Sequence, residues 1–368
     1  MRSIKKETFF PKVAMVLLNF NCKKFIRQCI SSIELQMYRG EIVIIIVDNA
    51  STDGSQNYIR HYFPHVTLLA NTENEGTSKG LNRGIQYALQ QKSDFIGLFN
   101  ADIFLTKNWL KESLQTFFTH SSARVGICAS LVLDWSGKTV ESAGGTITNF
   151  SMGIFSGFLA NTPFQKVPTQ YLTKEFPVFF GIITAMLVRA TTFKDAGFFD
   201  EEYFMCFEDS DFSWRVRSYG QIVLCNPRAI VRHFSHGSHP DKKLSLKLFN
   251  ETEKNLLATY YKNISSKWLM HSVLSILIFA RIGMSIVYFL ISYEVALTKL
   301  RGIFSFIHNL LLSRYAKKRT FVNRGRKLKD FEILSANPAS LWSIVNIFQN
   351  FFFWTRSIQR SLKNSDTT

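Results

Sequence analysis

The chain has 368 residues, 46% of them hydrophobic and 19% charged, which excludes a disordered or collagen-like polymer and leaves material for roughly two to three domains. Lys and Arg number 44 against 27 Asp and Glu, a net charge of +17, so a polyanion is an expected partner: nucleic acid, acidic lipid or a phosphorylated substrate. The 35 phenylalanines argue against an ordinary nucleic-acid binder.

The opening MRSIKKETFFPKV is charged and lacks the apolar run of a signal peptide. Cys22, Cys29, Cys128, Cys206 and Cys225 form no C-x-x-C pair, which predicts reduced thiols in the cytosol. Most of them read as small buried hydrophobes; Cys206, beside an acidic cluster, could line a site. Residues 13–19 (VAMVLLN) predict a buried strand and residues 22–36 a helix. The β-branched run at 41–48 (EIVIIIVD) predicts a central parallel strand. Turn and cap chemistry follows at 49–55 (NASTDGS). A third strand is expected at 66–70, a helix at 78–90 and a fourth strand at 94–99. This alternation is the βαβ pattern of an open parallel sheet. Strands near 125–132 and 178–188 and a helix near 191–196 extend an α/β domain over residues 1–240. Its nucleotide half would be about 10–104 and its acceptor half about 105–240.

The rear of the chain differs. Residues 241–368 hold 20 basic and 7 acidic residues, a net of +13, which leaves the first 240 at +4. Residues 268–292 are apolar apart from serines, His271 and Arg281. At about 100° per residue, Arg281, Ser285, Tyr288 and Ser292 share one stripe. Residues 314–329 carry eight basic residues and no acid. Residues 341–355 put Ser343, Asn346, Gln349 and Asn350 on one side of a helix and aromatic and aliphatic residues on the other.

Five segments carry chemistry. In an open α/β sheet, ligands bind outside the carboxyl ends of the strands. Asp48 ends the most apolar strand, where it either accepts hydrogen bonds from a base or ribose or caps the next helix; Asn19 ends the preceding strand and faces the same crevice. The run NTENEGTSKGLNRGI (71–85) is not a Walker sequence; it either wraps a nucleotide through backbone groups or is a capped loop. In FNADIF (99–104), Asn100 and Asp102 stand two apart, a spacing that presents two oxygen ligands together in extended chain. The stretch FFDEEYFMCFEDSDFSWR (198–215) sets Glu208, Asp209 and Asp211 among aromatic residues, which favours raised proton affinity and general-base work. His233 then ends the run AIVRHF as a metal ligand, a base or a packed core group.

In this order, LLNFN (17–21), IVDNASTDGS (46–55), NEGTSKGLNRGI (74–85), LFNADI (98–103), GFFDEEYFMCFEDSDFSWRVRSYG (197–220) and PRAIVRHFSHGS (227–238) resemble the inverting glycosyltransferases of family 2, in the bacterial rhamnosyltransferase-like branch. The resemblance spans about residues 10–240. It implies a GT-A fold: a Rossmann-like, mainly parallel mixed sheet flanked by helices. It implies that Asp48, Asn19 and Asn49 bind the nucleoside of a sugar nucleotide, with Gly76, Lys79 and Asn82 facing the donor. Asp102 would hold a divalent cation, Mg²⁺ or Mn²⁺. Asn100 stands where a first acid is usual, and His233 matches a position that completes the metal site in some relatives. Asp209 matches the catalytic base, supported by Glu208 and Asp211. Cys206 replaces a common aromatic residue.

The implied activity is transfer of a sugar, L-rhamnose from dTDP-rhamnose in the first instance, onto a hydroxyl of a lipid-linked saccharide in cell-surface polysaccharide synthesis. A polyprenyl-phosphate glycosyltransferase is the enzymatic alternative; a catalytically dead membrane scaffold or polyanion binder is the non-enzymatic one. The basic rear reads as a helical extension that binds an anionic membrane surface, on the cytoplasmic face, peripheral or monotopic. Arg281 would cost about 2.5–3.5 kcal/mol at a bilayer centre, so residues 268–292 either span or lie in the interface. No nucleic-acid partner is expected; a homo-oligomer is compatible with the sequence.

Overall fold

The computed structural model describes residues 10–149, 154–235 and 242–335. The front alternates as its apolar runs predict: β1 (Val13–Asn19), α1 (Lys23–Glu34), β2 (Ile42–Asp48), α2 (Ser55–Tyr62), β3 (Thr67–Ala70), α3 (Gly76–Gln90) and β4 (Phe95–Asn100). These four strands lie parallel in the order β4–β1–β2–β3. Register sets Asn19 beside Asp48 and Leu18 beside Asn100, so the polar residues after each apolar run meet at one edge.

The chain then builds the mixed half: β5 (Ile103–Leu105), α4 (Trp109–Thr119), β6 (Val125–Asp134), β7 (Thr139–Ala143), β8 (Gly145–Asn149), β9 (Ile154–Gly157), β10 (Thr162–Pro163), α5 (Gln170–Thr173), β11 (Phe176–Pro177), β12 (Ala185–Arg189), α6 (Ala190–Ala196), α7 (Glu208–Ser218) and β13 (Ile222–His233). Strand β12 runs antiparallel between β4 and β6, and β13 pairs parallel with β6 and antiparallel with β5. The strand expected at 178–188 starts only at Ala185. Before it, backbone groups are taken elsewhere: the Val178 carbonyl accepts from Arg217 Nη1 at 2.8 Å, and the Phe180 carbonyl accepts from Gly145 N at 2.7 Å.

Alternation within β1 divides the core. Ala14 and Val16 face α3 (Leu81, Ile85, Ala88); Val13, Met15 and Leu17 face α1 (Phe25, Ile26, Ile30) and α4 (Trp109, Leu110). Helix α3 lies very close to the sheet: a Cβ on Gly84 would meet Val16 Cγ1 at 2.4 Å.

The rear is helical: α8 (Lys242–Asn263), α9 (Lys267–Phe289), α10 (Tyr293–Leu311), α11 (Arg314–Arg324) and α12 (Asp330–Ser335). A third apolar cluster joins it to the front, uniting Phe179, Tyr203 and Trp214 with Leu256, Tyr260, Phe306, Tyr315 and Ile333. The predicted stripe on α9 exists and faces inward: Arg281, Ser285 and Tyr288 are buried, while Ser292 caps α10, accepting from Val295 N. The basic run at 314–329 is in part internal. Lys318 bonds Asp200, Arg319 Nη2 reaches the Ser265 carbonyl at 3.0 Å, and Arg326 Nη1 reaches the Asn263 carbonyl at 2.7 Å. The amphipathic segment expected at 341–355 lies outside the described residues.

Candidate active site

The carboxyl ends of β1, β2 and β4 form an acidic floor. Asp48 Oδ2 accepts from Asn19 Nδ2 at 2.6 Å, and its Oδ1 accepts from Ser51 N at 2.9 Å and Gln56 Nε2 at 2.7 Å. Asp48 is therefore fully buried and oriented from both sides, rather than capping α2, whose N-cap is Gly54. Burial first, then the charges of Asp102, Asp53 and Asp48, pushes the neighbouring Cys22 thiol up to about 12. Three acids thus converge on one thiol.

Asn100 ends β4, and the chain turns at Ala101–Asp102 before β5, so the two side chains do not share an extended segment. Pairing of β13 with β5 puts His233 opposite Ile103, one residue from Asp102. His233 Nε2 lies 3.2 Å from Asp102 Oδ1, and Nδ1 lies 2.7 Å from Glu141 Oε2. Burial draws the imidazole's pKa down, but bonds to Asp102 and Glu141 outweigh it and raise it to about 9. Glu141, on β7, went unnoticed in the sequence because it is one acid in a short alternating strand, 92 residues from its partner. Among the described residues no group of three or more His, Cys, Asp or Glu gathers as metal ligands. Asp102 and His233 nevertheless suit a Mg²⁺ or Mn²⁺ ion that keeps its other positions for water and phosphate oxygens.

The Gly-rich segment opens α3 against the loop at 199–207. Gly76 opens α3 at φ +81°, and a Cβ there would meet the Phe204 carbonyl at 2.3 Å; the Phe204 carbonyl accepts from Thr77 N at 2.6 Å. Glycine is needed so that the 199–207 loop can lie on the start of α3. Asn49 Nδ2 donates to the Gly76 carbonyl at 2.9 Å, while Asn49 Oδ1 accepts from Asn71. Asn82, expected to face a donor, is engaged within the protein: its Nδ2 donates to the Phe199 carbonyl and its Oδ1 accepts from Phe199 N, both at 3.0 Å. Its amide holds the loop and has both ends occupied. Lys79 is half-exposed on α3 and ion-paired with Glu75 one turn back.

That loop delivers the acids of α7. Cys206 and Phe207 both adopt positive φ, 73° and 69°, a conformation costly for side-chain-bearing residues. Asn255 of α8 holds them, its Nδ2 donating to the Met205 and Cys206 carbonyls at 3.0 Å each. Glu251 Oε2 accepts from Phe204 N at 3.3 Å. Asp209 Oδ1 accepts from Ser210 N at 2.7 Å and from Ser210 Oγ at 3.1 Å. The Thr184 carbonyl accepts from Asn100 N at 3.4 Å. Burial raises the proton affinity of Asp209, and burial plus the Asp209 charge raises that of Glu208. Glu208 Oε2 is buried without a hydrogen-bond partner. Burial and the charge of Glu208 push the Cys206 thiol up to about 12.

Asp211, expected to support the base, is fully buried and paired with Arg215 Nε at 3.1 Å, Lys262 Nζ at 3.0 Å and Asn263 Nδ2 at 2.8 Å. It fastens α7 to α8.

Residues 15–167 match the family model described as Glycosyl transferase family 2. A Mycobacterium tuberculosis protein named N-acetylglucosaminyl-diphospho-decaprenol L-rhamnosyltransferase is 26% identical over 236 residues, 61% of this chain and 76% of that one. The structure of S. aureus TarS 1–349 in complex with UDP-GlcNAc shares the fold at TM-score 0.54 and 15% identity, covering 86% of this chain and 93% of that one. GalNAc-T7 with UDP, GalNAc and Mn²⁺ shares it at TM-score 0.53 and 14% identity, covering 84% and 58%.

Proposed function

We propose that the chain, whose residues 15–167 match the family 2 glycosyltransferase model, is an inverting glycosyltransferase with Asp209 as its base, moving a hexose from a nucleotide donor to a lipid-linked saccharide. The observation that carries this is Asp209 itself. It is a part-buried carboxylate in the first turn of α7 whose proton affinity is raised by burial. Burial makes it a stronger base; the helix N-terminus keeps it ionisable.

Asp209 takes the proton of the acceptor hydroxyl as its oxygen attacks the anomeric carbon. The bond from that carbon to the diphosphate oxygen breaks on the opposite face, so one displacement inverts the centre. Asp48, held by Asn19, Ser51 and Gln56, offers its carboxylate to the nucleoside. Asp102 and His233 would hold a divalent cation, which neutralises the departing diphosphate. The Mn²⁺ in the GalNAc-T7 complex supports a cation here. The name of the mycobacterial relative supports L-rhamnose as the sugar and an N-acetylglucosaminyl diphospholipid as the acceptor; dTDP-rhamnose as donor and the cytoplasmic face of the membrane are part of the proposal.

The test is transfer by purified protein with dTDP-rhamnose, UDP-GlcNAc or GDP-mannose, onto either a lipid-linked saccharide or polyprenyl phosphate. Product only on polyprenyl phosphate would replace the acceptor reading. D209N should lose at least about 100-fold in turnover while donor still raises its melting temperature. A variant that keeps more than about a tenth of turnover removes Asp209 as base.

A further inference from the structure

Helix α9 is inverted relative to an ordinary surface helix. Amphipathic helices on soluble domains turn apolar residues inward and charges outward. Between Trp268 and Ser292 the only charged side chain is Arg281, and it points inward, its Nε 2.7 Å from the fully buried Glu253 of α8. Lys299 of α10 joins the same carboxylate. The outward face is apolar: Trp268 is 78% exposed, Phe279 75% and Leu290 89%, with Ile276, Ile286 and Val287 more than half exposed. At about 100° per residue these six fall within one arc, along a helix of roughly 35 Å. The patch continues around the turn, where exposed Phe289 and Tyr293 have ring centroids 5.8 Å apart. On α10 it meets exposed Phe304 and Leu311, flanked by exposed Arg301 and His308.

We propose that this face of α9, continued by α10, seats in the headgroup–acyl boundary of an anionic bilayer, as a monotopic anchor lying in the membrane plane. The proposal deepens the functional reading, resting on it only for the idea that the acceptor is met at a lipid surface. Two features favour lipid. The face presents no charge and hardly a hydrogen-bonding group along its length, as suits acyl chains. Its surroundings are predominantly basic: Lys267, Arg301, Arg314, Lys317 and Arg324 are exposed on these helices against exposed Glu294 and Glu332, while Glu251, Glu253 and Asp330 are buried in ion pairs. Trp268 and the basic flanks have the chemistry of an interfacial helix. A span is disfavoured, although α9 is long and apolar enough for one. Withdrawing it would strip Arg281 from Glu253 and leave that acid buried with Lys299 alone.

The test uses the full chain and vesicles of phosphatidylcholine with phosphatidylglycerol, free of donor and acceptor, so that it does not depend on catalysis. F279E/I286E and the uncharged F279S/I286S should each lower vesicle partitioning by at least about 30-fold. Both positions are exposed, so the melting temperature and transfer to a detergent-dispersed acceptor should be unchanged. A nitrobenzoxadiazole label on F279C should shift to the blue when vesicles are added. Wild-type partitioning by the double variants would overturn the proposal. So would a label already blue-shifted without vesicles and unmoved by them, since another copy or residues 336–368 would then cover the face. Absence of transfer with normal partitioning would instead count against the catalytic reading alone.

Discussion

At the scale of single residues, two carboxylates carry the proposal. As the proposed base, Asp209 must be ionised to work, yet burial raises its proton affinity. The acidic limb of kcat/KM should therefore lie above the ordinary carboxylate range, with activity falling as pH drops through the raised value. The linkage has a definite sign. A folded-state pKa raised above the unfolded one means that ionisation weakens the fold, and that stability returns as pH falls through it. D209N removes that penalty, so it should raise the melting temperature while abolishing transfer. A destabilised D209N would contradict the burial of an ionised carboxylate. Glu141 is the second. It accepts from His233 Nδ1, which fixes the ring so that Nε2 faces Asp102. Such outer carboxylates govern metal affinity. E141Q should weaken Mn²⁺ binding, measured calorimetrically with the nucleoside diphosphate present, by about 10–100-fold. Unchanged Mn²⁺ affinity would leave Glu141 a structural role only.

At the scale of elements, α8 is the strut of the site. Its Asn255 holds the two left-handed residues before α7, and its Lys262 lies between Asp200 at 2.6 Å and Asp211 at 3.0 Å. N255L should lower kcat by roughly tenfold or more, the effect of about 1.4 kcal/mol on a barrier, and leave donor Kd intact. Parallel losses in both would place Asn255 in donor binding instead. K262M leaves two buried acids short of a cation and should cost about 3–5 kcal/mol in urea unfolding; K318M, at a half-exposed partner of Asp200, should cost less. Burial alone would raise the Asp200 carboxyl, but Lys262 and Lys318 hold it well below the ordinary carboxylate range. Its contribution is thus fully present above about pH 4 and is lost as pH falls through the depressed value. K318M should unfold at a higher pH than wild type on acid titration. Equal acid midpoints would remove Lys318 from the network.

At the scale of the molecule, the sequence made the parallel half readable because each buried strand is a continuous apolar run ending in a polar residue. Asn19 and Asp48 could be placed in one crevice on that basis alone. What stayed hidden depends on contacts between distant segments. Asn82 reads as a donor-facing amide in its motif, but Phe199, 117 residues on, takes both its ends. Asp211 looks like one more acid in EDSD until α8 brings Lys262 and Asn263 to it. The net charge of the rear was legible, but not the direction in which each charge points.

That direction changes what the +13 rear does. Lys254, Lys262, Arg281, Lys299, Lys318 and Arg326 are all in internal ion pairs, so a large share of the excess binds the helices to the catalytic half. The region from 314 onward therefore cannot be removed as a separable membrane tag. Its Tyr315 is buried in the joint apolar cluster, and Arg319 and Arg326 satisfy carbonyls at the end of α8. Deleting residues 314–368 should lower the melting temperature and the soluble yield, not merely free the protein from membranes. The exposed charges should behave otherwise. K317E/R324E alters two outward side chains and should leave stability within about 0.5 kcal/mol per site. It should weaken partitioning to anionic vesicles by about 1 kcal/mol per residue, an effect that fades as salt is raised. Loss of binding through F279S/I286S should persist at high salt, because it removes apolar contact. If salt rescues the serine variant as well, charge rather than the apolar face holds the enzyme to the bilayer.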